Sequence, residues 1–222
     1  MRSRISKPLV PLGPCPIIIH CLRTLSRHPL IRDIVVVASN ANRRAVAGLL
    51  GRYRIAKVRA VVLGGARRQD SVRRGLRAMH PRTQYVLIHD SARPFIDTRV
   101  VSRTIRRARR TGAAITGLPV KATIKVAGSC RRKRGLPPAI TVRSTLKRDT
   151  LWEIQTPQVF RAGLIRQAYR RCGNVRATDD SMLVEKLGAR VSVVPGSYRT
   201  IKITTPEDLL IARALLNERP QR

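Results

Sequence analysis

Several short stretches of this 222-residue chain carry side chains suited to holding a phosphorylated ligand. His89-Asp90-Ser91-Ala92-Arg93-Pro94 sets an acid and an arginine three positions apart, which could hold a hydroxyl and a phosphate together. A helix-capping aspartate beside a surface arginine is the plainer explanation of the same pair. Gly64-Gly65-Ala66-Arg67-Arg68-Gln69-Asp70-Ser71 combines two glycines with backbone amides, the Ser71 hydroxyl and the Arg68 charge, so a ligand could approach the backbone closely. An ordinary turn accounts for the Gly-Gly equally well. Lys202 lies in the β-like run Thr200-Ile201-Lys202-Ile203-Thr204 and points away from its isoleucine neighbours. It is either a point charge for a phosphate or a solvent lysine on an edge strand. Thr156-Pro157-Gln158 and Arg148 complete the set. No Ser/His/Asp order, HExxH pattern or Walker A sequence occurs, so hydrolytic nucleophilic chemistry has no support.

The elements that must position these residues are legible as an alternation. Short β-branched runs at 34–38, 60–63, 85–89 and 191–194 read as buried strands. Helical patterns lie between and around them, near 14–27, 41–51, 69–79, 97–110, 161–172, 179–187 and 206–217. Thr178 is expected to cap the helix whose first turn holds Asp179 and Asp180, with Gly188 at its end. Thr205 precedes Pro206, Glu207 and Asp208, an N-cap followed by an N1 proline and first-turn acids. The alternation predicts an α/β fold with a mostly parallel sheet flanked by helices, in which ligands bind at the carboxyl ends of the strands. The candidate loops at 64–71 and 89–94 follow two such ends. The stretch at about 121–150 breaks the rhythm. Two β-prone runs, 121–125 and 139–143, flank a Gly/Pro/basic segment and predict a protruding hairpin, or arm, suited to packing on a second subunit.

The charge is lopsided: 46 Lys+Arg against 12 Asp+Glu, a formal +34. Such a field attracts nucleic acid or small phosphates. The arginines are spread along the whole chain and aromatics are only 3%, which leaves little to stack on bases, so a solvated basic surface is favoured over a nucleic-acid site. The four cysteines form no CxxC pair and read as structural thiols. No apolar run approaches a membrane span, and no signal-peptide pattern follows Met1-Arg2-Ser3-Arg4, so the expected setting is cytoplasmic, with no membrane partner. The expected organisation is one domain over 1–222.

Taken in order, Lys7-Pro8-Leu9-Val10-Pro11-Leu12, Arg68-Gln69-Asp70-Ser71-Val72, the His89–Pro94 segment, Pro119 to Lys125, Leu151 to Gln158, Thr178-Asp179-Asp180 and Ile201 to Leu209 resemble the 2-C-methyl-D-erythritol 4-phosphate cytidylyltransferase family. The resemblance covers essentially the whole chain. It implies a Rossmann-like nucleotidyltransferase that joins CTP to methylerythritol phosphate, releasing pyrophosphate, with Mg²⁺ or another divalent cation, as a homodimer joined by arms. A ribitol-phosphate cytidylyltransferase shares most of these motifs and is the alternative within the class. A non-catalytic chain with a basic nucleic-acid-binding surface is the alternative outside it.

Carried over position by position, the resemblance makes Lys7 and Lys202 the catalytic lysines at the triphosphate and the α-phosphate. Gly65 and Ser71 would bind the cytosine and Ala92 would lie by the ribose. Asp90 and Arg93 would hold the methylerythritol portion. Thr123, Arg148 and Thr156 would contribute to the facing subunit's site. The chain departs from the family pattern in having Ala122 where an acid usually precedes Thr123. It also shows no counterpart of the family's first strand and glycine-rich loop ahead of Lys7. The expectation is a translation start assigned at an internal methionine, with real truncation as the alternative.

Overall fold

The computed structural model describes residues 6–130 and 139–218. The basic cluster Arg131-Arg132-Lys133-Arg134 lies outside the described residues. From the amino end, a 3-10 turn at Lys7–Leu9 leads into a small hairpin, β1 (Pro11–Leu12) and β2 (Cys15–Pro16), and helix α1 (Ile17–Arg27). Then come β3 (Ile34–Ala38), α2 (Asn40–Arg52), β4 (Val58–Leu63), α3 (Arg68–Arg77), β5 (Tyr85–Ile88), α4 (Thr98–Thr111) and β6 (Ala113–Pro119). The chain continues through β7 (Lys125–Cys130), β8 (Ala139–Thr145), a 3-10 turn at Arg148–Thr150, β9 (Trp152–Arg161), α5 (Ala162–Arg171), α6 (Asp180–Lys186), β10 (Ser192–Pro195) and α7 (Pro206–Asn217).

The α/β reading holds, with helices packed on both faces of the described strands, which form a four-stranded sheet in the order β10-β6-β9-β5 and a two-stranded sheet of β3 and β4. β3 pairs in parallel with β4, and β6 in parallel with β10, while β9 runs antiparallel between β5 and β6. One apolar layer joins α1 and α4 to the sheet through Ile18, Leu22, Leu25, Val36, Val101 and Ile105. The opposite layer joins α3, α5 and α6 through Leu76, Ile165, Ala168, Leu183 and Val184, around the fully buried Phe160 of β9. Helix α4 shows where the arginines go. Val100, Val101, Thr104, Ile105 and Ala108 are buried on one face, whereas Arg99, Arg103, Arg106, Arg107, Arg109 and Arg110 lie elsewhere around it. Asp97 caps its start by accepting from the Arg99 amide, and Gly112, at φ 85°, takes the left-handed turn that ends it.

Several expectations need correction. β6 and β9, which lie inside the sheet, are absent from the strands read in the sequence. β6 is rich in small residues, and β9 interleaves Glu, Gln and Thr and contains Pro157, which ordinarily excludes an interior strand. The proline is accommodated at an irregularity: the ladder passes from Ile115↔Gln158 to Thr116↔Gln155, stepping over Thr156-Pro157. The run at 200–204 is not a strand; it is extended chain, held to the 89–94 loop by the Ile203 amide on the Ala92 carbonyl at 2.9 Å. Asp179, not Thr178, caps α6, accepting from the Met182 amide. The arm is an antiparallel hairpin of β7 and β8, but its first strand starts at Lys125, where the expected run ends.

Candidate active site

The Gly64–Ser71 loop is assembled at the start of α3. The Gly65 amide donates to the Ser71 hydroxyl at 3.0 Å, and a Cβ on Gly65 would fall 2.3 Å from that of Asp70, so only glycine fits. The Arg67 amide and guanidinium both donate to the Asp70 carboxylate, closing the first turn. Arg68, one residue inside the helix, leaves this loop for the next strand end. It bonds Asp180 at 2.7 Å and reaches to 3.5 Å from Asp90.

Asp90 is the hub. Its carboxylate lies 2.9 Å from the Lys202 ammonium, 3.5 Å from Arg68 and 3.9 Å from Arg93. Burial pushes its pKa up. The hydrogen bond from Lys202 and the charges of Lys202, Arg68 and Arg93 outweigh that and hold it below the usual carboxylate range. Burial likewise opposes the charge on Arg68, and Asp180 and Asp90 more than offset it. Asp180 itself is fully buried and also accepts from the Tyr169 hydroxyl.

Lys202 is placed by its neighbours. Thr204 and Thr205 are pinned at the start of α7 by Asp208, which accepts from both of their amides and from the Thr204 hydroxyl. Those hydrogen bonds, the Thr204 hydroxyl foremost, hold the Asp208 carboxyl down at about 2. Lys7, nearly two hundred residues earlier, donates to the Thr204 carbonyl at 2.9 Å. The two lysines named from the resemblance therefore meet at one segment.

Beneath Asp90 runs a chain of hydrogen bonds. The Asp90 amide donates to the Thr156 hydroxyl at 3.1 Å, and Thr156 lies 3.0 Å from Nδ1 of His89. Nε2 of His89 is 3.1 Å from the Arg93 carbonyl, which can only accept, so the proton sits on Nε2 and Thr156 donates to Nδ1. Burial pulls the His89 pKa down to about 4, which leaves the imidazole neutral at pH 7. Arg93 is 7% exposed and donates to the Thr200 carbonyl at 2.7 Å, while its Nε has no hydrogen-bond partner.

The structure thus brings together Lys7, Gly65, Ser71, Asp90, Ala92, Arg93, Thr156 and Lys202 through linked contacts along one edge. Thr156 is a correction in place: it is 4% exposed beside His89 and Asp90 of its own chain, not a reach toward a facing subunit. The skipped register at Thr156-Pro157 puts it there. Thr123 and Arg148 stay apart. Thr123 is exposed ahead of β7, and Arg148 donates to the Lys121 carbonyl at the arm's base. Neither His89 nor the Arg68–Asp180 pair is marked out by the amino-acid sequence alone. The only signal was two adjacent acids after Thr178, of which one caps α6 while the other turns inward.

Around Asp90 and Asp180 three cations, Arg68, Arg93 and Lys202, face two carboxylates, with Lys7 on the adjoining Thr204 carbonyl, so this part of the edge is electropositive and suits a phosphate. Among the described residues, no three His, Cys, Asp or Glu side chains converge as metal ligands. The described cysteines Cys15, Cys21 and Cys172 are free thiols, and burial pushes Cys21 up to about 12. No described helix is long and apolar enough to cross a membrane.

Comparison with known proteins shows the family. Residues 1–218 match the family model for 2-C-methyl-D-erythritol 4-phosphate cytidylyltransferase. The enzyme of that name from Syntrophotalea carbinolica is 43% identical over 98% of this chain and 91% of its own, and that from Alkaliphilus metalliredigens is 39% identical over 99% and 88%. Among solved structures, the 4-diphosphocytidyl-2C-methyl-D-erythritol synthase of Anaerococcus prevotii superposes with a TM-score of 0.83 at 32% identity, covering 96% of this chain and 91% of its own. The 2-C-methyl-D-erythritol 4-phosphate cytidylyltransferase of Thermus thermophilus gives 0.78 at 30% identity, covering 96% and 94%.

Proposed function

We propose, from the premise that this chain belongs to the 2-C-methyl-D-erythritol 4-phosphate cytidylyltransferase family, that it transfers CMP from CTP to 2-C-methyl-D-erythritol 4-phosphate. The products are the CDP-linked methylerythritol and pyrophosphate. A phosphate oxygen of the acceptor attacks the α-phosphorus of CTP in line. The bond from that phosphorus to the bridging oxygen breaks, and pyrophosphate leaves with the electron pair. No covalent enzyme intermediate is required, so the protein acts by placing two anions and neutralising the charge between them.

The observation that carries this reading is the convergence of Lys202, Arg68 and Arg93 on Asp90, with Lys7 on the adjoining Thr204 carbonyl. Lys7 and Lys202 act on the phosphates. Lys202 is held by Asp90 but is only half covered, so its remaining donors are available to the α-phosphate. Gly65 and Ser71 take the cytosine and Ala92 borders the ribose. Asp90 accepts from an acceptor hydroxyl. Arg93 and Thr156 fix the loop that carries Asp90: Arg93 ties it to Thr200, and Thr156 ties its amide to His89.

Among the described residues no metal-ligand set forms, and Asp90 is already committed to three cations, so these residues do not fit a resident metal site. The divalent cation arrives with the nucleotide as Mg·CTP, bound mainly by substrate phosphates. A homodimer completes the assembly. The exposed apolar side chains of the arm, Ile140 at 84% and Val142 at 62%, are the surface a second copy would cover, bringing Thr123 and Arg148 toward its site.

The test is pyrophosphate release from Mg·CTP with methylerythritol phosphate, with ribitol 5-phosphate as competing acceptor. The expected result is turnover that prefers the methylerythritol acceptor. Preference for ribitol phosphate would overturn the substrate, and release from neither would overturn the activity of this chain.

A further inference from the structure

Helices α1 and α4 pack into the same apolar layer, and an open cleft of about 790 Å³ lies between them. Five of the ten residues that line it are arginines, and no aspartate or glutamate lines it among the described residues. None of the side chains gathered around Asp90 takes part in it. The arginines form two stripes. Arg99, Arg103 and Arg106 stand at i, i+4 and i+7 of α4, one helical face roughly 10 Å long. Arg23 and Arg27 stand at i and i+4 of α1. Three of the guanidiniums are held by contacts other than ion pairs. Arg103 donates to the Pro195 carbonyl at 3.0 Å, Arg106 donates to the Ser102 carbonyl at 3.3 Å, and Arg23 lies 5.1 Å from the centre of the Tyr53 ring. Among the described residues, none of the five forms a salt bridge. The acid nearest in sequence, Asp97, is occupied as the cap of α4, accepting from the Arg99 amide.

The floor adds a neutral donor. His28 is 3% exposed, and the Leu30 amide donates to its Nδ1 at 3.2 Å. The ring is therefore neutral, with its proton on Nε2, which donates to the Ser102 hydroxyl at 2.9 Å. Ser102 keeps its own hydroxyl proton for another acceptor. Like charges at these helical spacings repel, and the facing helix keeps the two stripes turned toward each other. An anion between them relieves both stripes at once. Guanidinium forks match phosphate oxygens. A single phosphate, at about −2, would leave most of the five charges unmatched. A short chain of phosphates answers more of them and follows the length of the α4 stripe. A nucleic acid fits less well, because no Phe, Tyr or Trp lines the cleft to stack on a base.

We propose that the cleft between α1 and α4 is a second anion site, separate from the Asp90 hub, that binds a short oligophosphate, either free or as the phosphate tail of a nucleotide. Arg27 and Arg99 face the ligand from the two helices, Arg103 and Arg106 extend the contact along α4, and the Ser102 hydroxyl donates from the floor. The cavity volume lies within the range of small-ligand sites.

The experiment titrates the full chain with inorganic triphosphate, without metal, in about 0.15 M salt, where exposed charges are screened. Backbone amide NMR signals of Arg27, His28, Arg99, Ser102 and Arg103 report the cleft, and those of Gly65, Asp90 and Ile203 report the hub. The cleft signals are expected to shift and saturate at a concentration about 10-fold or more below that needed with inorganic phosphate. Arg27→Ala combined with Arg99→Ala should weaken this binding by roughly 10- to 100-fold. Removing as much charge from the end of α5, by Arg170→Ala with Arg171→Ala, should leave it nearly unchanged. Shifts confined to the hub signals would overturn the site, and equal weakening by both double variants would reduce it to attraction by net charge. Phosphate binding as tightly as triphosphate would overturn the oligophosphate, and tighter binding of a single-stranded polynucleotide to the same amides would overturn the small ligand. With CTP as the second probe, equal or larger shifts in the cleft assign it to nucleotide tails, and smaller ones assign it to free oligophosphate. The parent chain's own shifts carry the test even where a variant fails to fold. None of these readouts depends on turnover, so failure here is separable from failure of the proposed reaction.

Discussion

Around Asp90, segments from five distant parts of the chain, at 7, 65–71, 89–93, 156 and 200–205, are tied to one another by side chains of the same subunit. In the arm, β7 and β8 pair with each other, and Ile140 and Val142 stand largely in solvent. The first region covers Asp90, Asp180 and Arg93 with its own chain, so the pairings of those charges are strengthened, while Lys202 stays half exposed toward a ligand. The second can contribute through Thr123 and Arg148 only when something covers it. Substitutions in the hub should therefore act at any protein concentration, whereas substitutions in the arm should act through assembly.

Lys202→Ala and Lys7→Ala are the sharpest probes of the hub. Each is expected to lower kcat/KM by roughly 10²–10³-fold, the scale for losing one preorganised donor to a developing charge, with most of the loss in kcat. Lys202→Arg should not restore it, since a planar fork cannot replace a compact ammonium held at 2.9 Å from Asp90. Steady-state kinetics with both substrates varied gives the answer, and a loss confined to KM would remove Lys202 from the reaction centre.

Asp90→Asn leaves the surrounding cations without their shared anion. The expected effect is a rise of roughly 10- to 100-fold in KM for the acceptor and a smaller change for CTP. Equal effects on both substrates would mean that Asp90 shapes the whole edge and not one subsite.

The neutral His89 gives the hub a pH signature. Its folded pKa of about 4 lies below the ordinary 6.5, so as pH falls below about 6.5 the unfolded chain takes up a proton that the folded chain refuses. Stability is then complete above 6.5 and declines toward 4, by about 2 kcal/mol between pH 7 and pH 5. The depressed Asp90 acts in the same direction at lower pH, since its contribution fades as the carboxylate protonates. Urea melts at the two pH values should show the decline in the parent chain and a flatter dependence in His89→Gln.

The arm should give the smallest effect and the only one that depends on concentration. Ile140→Asp combined with Val142→Asp is expected to yield monomers by analytical ultracentrifugation and to lower turnover about tenfold, as would Arg148→Ala on a smaller scale. Monomers with full activity would confine the working site to the Asp90 hub.

Much of the hub could be read before folding. Asp90 and Arg93 could be picked out because they follow a strand end, with a helix cap beside a surface arginine as the open alternative, and Lys202 stood out between isoleucines. Helix starts were legible where the cap is local, as at Thr205 and Asp208, which close a reciprocal pair of hydrogen bonds within one turn. Thr156 was placed wrongly because its position depends on a skipped register between β6 and β9, two strands that their own residues do not announce. His89 showed no function because its role lies in partners at positions 93 and 156, one of them far away in sequence.

The sequence by itself determined the alternation of strands and helices, the surface spread of the arginines and the motifs that fix the family. These are consequences of periodicity and residue type, which act over a few neighbours. Only the tertiary structure decided that Lys7 and Lys202 meet at Thr204, that Arg68 divides its charge between Asp90 and Asp180, and that Thr156 lies beside His89 and Asp90. Each of those depends on segments brought together by the packed core, and the energy that selects them, burial of apolar faces and pairing of the charges thereby desolvated, exists only once the layers have closed.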